Sequence, residues 1–197
     1  MIKIYRAVPK KGFDEKKEYT PQMTKRIPSN VPYIIDNIWE FLRPDNMPSR
    51  RFSAYASPTP ELALRNASSI GINPEDYIVC KVVFNQEKMK IAHINVEDAR
   101  YHQDISTIMR HVIQSLGKEF SNMSINEKIE HSALFLPAIS KEESETYFNR
   151  NEKSKILLNE IREISTFWKD ASHTLQNHNG ELFFEISGTA SYKLEIM

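Results

Sequence analysis

The chain has 197 residues, in which 26 Lys plus Arg balance 26 Asp plus Glu; this neutral total argues against a dedicated nucleic-acid binder, which normally carries a basic excess. The length suits one domain over residues 1–197 with a real core, and ten prolines with five glycines exclude collagen-like or low-complexity character. The single cysteine, Cys80, excludes an intrachain disulfide framework and suits a reducing compartment.

In chain order, residues 2–8 predict a first strand ended by Pro9 and the Lys-Lys-Gly turn. A charged, loop-like stretch covers residues 10–30. Pro32 then precedes an amphipathic helix whose Ile34, Ile35, Ile38, Trp39 and Leu42 share a face. It closes at Arg43, because a residue before proline is pushed out of helical geometry. Residues 51–56 predict a strand, followed by a helix with Thr59 as N-cap, Pro60 at its first position and Glu61 near its positive end. Ala63, Ala67 and Ile70 fall on one face of that helix, and Gly71 is its C-cap.

Residues 77–84 and 89–94 predict two strands around a polar turn, and Cys80 lies in the apolar run of the first, where core packing is its expected role. A long helix over residues 96–120 follows from the spacing of Ile105, Ile108, Met109, Val112, Ile113 and Leu116. Residues 133–136 predict a short buried strand, residues 142–148 a charged helix, and residues 155–169 a helix with Leu157, Ile161, Ile164 and Trp168 on one face. The end of the chain predicts a hairpin: a strand opened by Glu181, a Ser-Gly turn, and a second alternating strand. No repeat or domain boundary shows, and the mixture of elements predicts the α+β class.

No segment approaches the about twenty apolar residues of a membrane span, and the amino end is charged too early for a secretion signal. These features predict a cytoplasmic protein, with delivery into a target cell by a machine that reads no cleavable signal as an alternative. The six histidines, His93, His102, His111, His131, His173 and His178, lack the spacing of a metal site. No phosphate-binding glycine loop is present.

Three segments carry candidate chemistry. Arg6 stands in the short apolar strand Ile-Tyr-Arg-Ala-Val, where burying a guanidinium is costly unless an anion or carbonyl receives it. In the strand over residues 51–56, alternation places Phe52, Ala54 and Ala56 on one face. It places Arg51, Ser53, Tyr55 and Ser57 on the other, a set suited to a flat polar ligand with phosphates. Glu181 opens the last apolar stretch, with Phe183 on its face and Leu182 and Phe184 on the other.

In order and spacing, the three together resemble the ADP-ribosyltransferase superfamily of bacterial toxins, effectors and phage enzymes. The opening Ile-Tyr-Arg is similar to that family's first-strand arginine. Ala-Tyr-Ala-Ser-Pro-Thr-Pro-Glu-Leu-Ala from Ala54 looks like its central strand feeding a helix, and Glu-Leu-Phe-Phe from Glu181 resembles its catalytic strand. The resemblance implies a split β-sheet core flanked by helices and NAD as substrate. It implies that Arg6 holds the NAD phosphate or ribose, Tyr55 stacks near nicotinamide, and Ser57 holds the glutamate or the ribose. Glu181 is then the catalytic residue, stabilising the positive charge that develops on the sugar as nicotinamide leaves. No metal is implied; the implied partners are a macromolecular acceptor, most readily protein, and an immunity or inhibitor protein. Two residues before Glu181, where many members that modify arginine or asparagine carry Glu or Gln, this chain has Asn179.

Two other readings belong to different classes. The RES type of NAD-degrading toxin also pairs an early arginine with a late acid, which implies hydrolysis of NAD. A non-catalytic interaction protein would instead use residues 10–30 and the helices between residues 96 and 168 as a partner surface.

Overall fold

The computed structural model describes residues 2–21, 23–68, 73–175 and 179–197. The fold is α+β, with helices and two small antiparallel sheets. The chain divides into two compact units, each assembled from separated stretches: Met1–Thr24, Asp45–Asp98 and Ala171–Met197 form the first, and Lys25–Pro44 with Ala99–Asp170 the second. Ile70 and Gly71 of the predicted helix, and His178, lie outside the described residues.

The first unit carries the strands β1 (Tyr5–Pro9), β2 (Ala54–Ala56), β3 (Tyr77–Phe84), β4 (Met89–His93), β5 (Leu182–Ile186) and β6 (Tyr192–Ile196). They form two three-stranded sheets in the orders β1-β3-β6 and β2-β5-β4. An isolated antiparallel bridge between Tyr5 and Ser57 joins β1 of one sheet to the end of β2 of the other. Alternating residues from both sheets meet in one core, including Ile4, Cys80, Val82 and Leu194 from one and Ala56, Ile91, Leu182 and Phe184 from the other. Cys80 is fully buried there, and burial pushes its thiol pKa up, as expected of a packing residue. Helix α2 (Pro60–Ser68 in the same unit) follows β2, with the Thr59 hydroxyl accepting the Leu62 N–H at 3.2 Å as its cap.

Three expectations for this unit are corrected. The terminal strands do not form a hairpin: β5 is the middle strand of its sheet, so β2 and β4 use both of its hydrogen-bonding edges, and β6 pairs with β3 instead. Gly188, at φ 68°, lies in the turn that carries the chain from one sheet to the other. The strand predicted over residues 51–56 shrinks to Ala54–Ala56, because Ser49 gathers the chain before it into a turn. Its carbonyl accepts the Phe52 N–H at 3.2 Å and the Ser53 hydroxyl at 2.6 Å, and its own hydroxyl accepts the Arg51 N–H at 3.2 Å. The first strand also begins later than predicted, at Tyr5.

The second unit is helical: α1 (Tyr33–Leu42), α3 (Gln103–Phe120), α4 (Ile125–Ser132), α5 (Lys141–Asn149), α6 (Glu152–Ile164) and α7 (Phe167–Asp170). Its core includes Ile34, Ile35, Ile38, Trp39, Ile108, Leu134, Phe148, Ile161 and Phe167, and the Trp39 and Phe167 rings stack at 3.9 Å. The helix predicted from residue 96 starts at Gln103, where the His102 ring accepts the Asp104 N–H at 3.2 Å. The strand predicted over residues 133–136 is a 3-10 turn after α4. Asn37 supplies the hydrogen bonds that a sheet would have made, donating to the carbonyls of Leu134 at 2.9 Å and Leu136 at 2.8 Å. The helix predicted over residues 155–169 starts earlier, capped by Asn151, and breaks after Ile164. There the buried Asp104 carboxylate takes the N–H groups of Thr166 at 2.9 Å and Phe167 at 3.1 Å away from helical geometry. Among the described residues, no helix is long and apolar enough to cross a membrane.

Candidate functional site

Two pairings bring the candidate segments together in the first unit. Tyr5 and Ser57 exchange backbone hydrogen bonds at 2.9 and 2.8 Å, so the residue before Arg6 lies beside Ser57. Ala56 lies opposite Leu182 at the end of the β2–β5 ladder, and Ser57 and Glu181 are the residues next to that pair.

The β2–β5 pair carries Tyr55 opposite Phe183, with ring centroids 6.0 Å apart. Alternation puts Glu181, Phe183 and Glu185 on that same face. Glu185 fastens the turn that precedes β2: its carboxylate accepts the Ser49 N–H at 2.7 Å. That tether brings the turn containing Arg51 and Ser53 to the face that bears Tyr55 and Glu181, although the two residues are not on the strand from which they were predicted. Four polar residues of these segments are buried: Arg51 is 2% exposed, Ser53 7%, Ser57 3% and Glu181 8%. Charged side chains are almost never so buried unless paired, and their concentration in a structure marks a candidate site.

Arg6 is placed differently. It is opposite Cys80 and shares the core-facing side of its sheet with Ile4. Its guanidinium donates to the Tyr192 hydroxyl and lies over the Tyr192 ring at 5.9 Å. Burial pushes the Tyr192 phenol pKa up, and the nearby Arg6 charge partly offsets that rise. Among the described residues, Tyr192 is the one hydrogen-bond partner of Arg6, so further N–H groups of its fork remain for an anion. Among the described residues, Arg6 and Glu181 share no hydrogen bond or ion pair. The structure gathers Tyr55, Ser57, Glu181, Arg51 and Ser53 around the face of β2–β5 that points away from Ala56, Leu182 and Phe184. Arg6 lies on the side of its own sheet that faces the core holding those three residues, so it does not share the face of Glu181.

One residue of this region was passed over in the sequence. His93, at the end of β4 and 1% exposed, donates from Nε2 to the carbonyl of Asn179 at 2.9 Å. Burial lowers its pKa, and the bond to Asn179 partly opposes the shift. The available signal was a histidine among apolar residues in the strand Ile-Ala-His-Ile.

The helical unit has its own cavity of about 440 Å³, lined by Leu116, Met123, His131, Ile156 and the carboxylates of Glu127 and Glu160. Both acids have work within the fold: Glu127 closes the Ser124 cap at 2.7 Å and Glu160 meets His111 at 2.9 Å. Among the described residues, no group of three His, Cys, Asp or Glu side chains is arranged to hold a metal. Comparison of the chain with protein-family models, curated proteins and solved structures finds no match.

Proposed function

We propose that the protein cleaves NAD at the nicotinamide–ribose bond and transfers ADP-ribose to a macromolecular acceptor, with Glu181 as the catalytic carboxylate. The observation that carries this reading is the face of the β2–β5 pair that bears Tyr55 and, by alternation, Glu181, to which Glu185 tethers the turn holding Arg51 and Ser53. The sheet divided into two halves also supports the ADP-ribosyltransferase resemblance, whose core is a split sheet.

In this reading, the buried Glu181 carboxylate accepts a hydrogen bond from the nicotinamide ribose. It stabilises the oxocarbenium-like state more than the ground state, because its charge is already fixed where positive charge develops. Tyr55, beside Phe183, offers an aromatic surface to nicotinamide, and the Ser57 hydroxyl orients the ribose or the carboxylate. Arg51 and Ser53, in the turn fastened to this face, address the phosphates, while Arg6, on the core-facing side of the neighbouring sheet, keeps its bond to Tyr192.

The test is incubation of the purified protein with labelled NAD and cell lysate, beside Glu181→Gln. The expected result is nicotinamide release that falls at least 100-fold in Glu181→Gln. Equal turnover by the two proteins, or none by either, refutes the reading. Label on protein identifies a protein acceptor; nicotinamide release without it identifies water, as in the NAD-degrading toxins. Neither turnover nor NAD-dependent thermal stabilisation would leave an interaction protein as the better description.

A further inference from the structure

The backbone of Glu181 is fastened on the β4 side. Both of its backbone groups are bound to the chain leaving β4: its carbonyl accepts the Ile94 N–H at 3.0 Å, and its N–H donates to the Val96 carbonyl at 2.7 Å. Just before it, Gly180 has φ 114°, a conformation that side-chain-bearing residues rarely adopt. A Cβ there would lie 2.2 Å from the Ile94 carbonyl oxygen and 2.8 Å from the His93 Nε2. The chain therefore passes the His93 ring at a distance that only glycine permits.

His93 holds this approach from two sides. Its ring donates to the Asn179 carbonyl at 2.9 Å, and its backbone exchanges two hydrogen bonds with Ser172, each 2.9 Å. One buried residue thus fastens Ser172 and Asn179, the stretches on either side of the segment that leads into Glu181. A buried ring in this position, at the end of a strand, has a direction that packing alone would not require.

We infer that His93 is a positioning residue for Glu181: its Nε2–H fixes the Asn179–Gly180 approach, and so the orientation from which the Glu181 carboxylate meets the ribose. This inference rests on the proposed role of Glu181. A small displacement of a catalytic group costs far more in turnover than in substrate binding, because the geometry counts most in the transition state.

The experiment compares wild type, His93→Gln, His93→Leu and Glu181→Gln by NAD-cleavage kinetics and by amide hydrogen exchange of the intact chain. Glutamine retains an N–H near the Nε2 position, whereas leucine retains only bulk. The expected result for His93→Leu is a kcat about 30-fold lower at little-changed KM, with faster exchange at the Glu181 amide. His93→Gln should restore both to within about threefold of wild type. Normal exchange at Glu181 in His93→Leu overturns the positioning. So does faster exchange with unchanged kcat while Glu181→Gln is inactive. Equal losses in the Leu and Gln variants, with lowered melting temperatures in both, overturn it in favour of simple packing. If the wild type does not cleave NAD, the role proposed for Glu181 falls and this inference falls with it; in the other outcomes only His93 is at issue.

Discussion

Adding one methyl group at Gly180 is a severe test of how Glu181 is held. In Gly180→Ala the new Cβ would stand 2.2 Å from the Ile94 carbonyl oxygen, whereas a carbon usually approaches a carbonyl oxygen no closer than about 3.3 Å. The segment must therefore withdraw by about 1 Å. The two hydrogen bonds of the Glu181 backbone, at 2.7 and 3.0 Å, run to the same strip of chain and cannot both survive that movement. Each contributes about 1 kcal/mol. The φ of 114° adds a penalty of about 1–3 kcal/mol for a residue with a side chain. The sum is about 3–5 kcal/mol.

Gly188 provides the control. Its φ is also positive, at 68°, but a Cβ there meets nothing within 4 Å, so Gly188→Ala should cost only about 1 kcal/mol. Urea denaturation and amide exchange measure both variants. In Gly180→Ala the expected result is either a lower unfolding midpoint or, where the segment opens locally, fast exchange at Glu181 under a nearly unchanged global transition. Equal costs for the two substitutions, with Glu181 exchanging as in wild type, would refute the close-approach argument.

Two predictions concern the helical unit, whose unfolding is reported by fluorescence because Trp39 and Trp168 both belong to it. Asp104 accepts bonds from the Trp39 indole at 3.0 Å, the Ser165 hydroxyl at 2.7 Å and the N–H groups of Thr166 and Phe167. Asp104→Asn turns one acceptor into a donor facing donors and should cost about 2–3 kcal/mol in a urea titration. Burial raises the Asp104 pKa, but the bonds from Thr166, Ser165, Trp39 and Phe167 outweigh it and leave the net shift downward. The contribution is therefore full above the unfolded carboxyl's pKa of about 3.9 and is lost as pH falls through the lower folded value. A gap between wild type and Asp104→Asn that persists unchanged to the lowest pH would contradict this. Gly117, exposed within α3, has room for a Cβ, with Ile113 at 3.7 Å. Gly117→Ala should raise stability by about 0.5–1 kcal/mol, and an unchanged or lower midpoint would count against the helix extending through it.

Local chemistry made part of this fold readable. The Pro32-led helix, the Thr59 cap and the alternation of Tyr77–Phe84 all depend on neighbours in sequence, and each element stands where its pattern put it. The errors share a different cause. Nothing within residues 165–167 announces that α6 will stop, because the group that stops it is Asp104, some sixty residues earlier. Residues 133–136 have the composition of a strand, but their carbonyls are satisfied by Asn37, a side chain from another helix. The terminal strands looked like a hairpin because a Ser-Gly turn separates two alternating runs. Which edges of β5 are free is decided by β2 and β4, and no local pattern shows it.

The candidate site divides in the same way. Residue types suited to binding a sugar and phosphates were visible in each segment, whereas their adjacency depends on two strand pairings and one bridge. The pairing that matters most to Glu181 was the least visible. Glu181 directly precedes the residue that pairs with Ala56 of β2, but its own backbone hydrogen bonds go to Ile94 and Val96. The carboxylate is thus presented beside β2 by a chain secured to β4. In the proposed function, substitutions along β2 would alter what surrounds the ligand, and substitutions at His93 or Gly180 would alter the direction from which the carboxylate approaches it. The Asn179–Gly180–Glu181 sequence, which looked like a strand opening with an unusual residue two places before the acid, is a fastened turn. Its geometry belongs as much to the strand that ends at His93 as to the one that begins at Leu182.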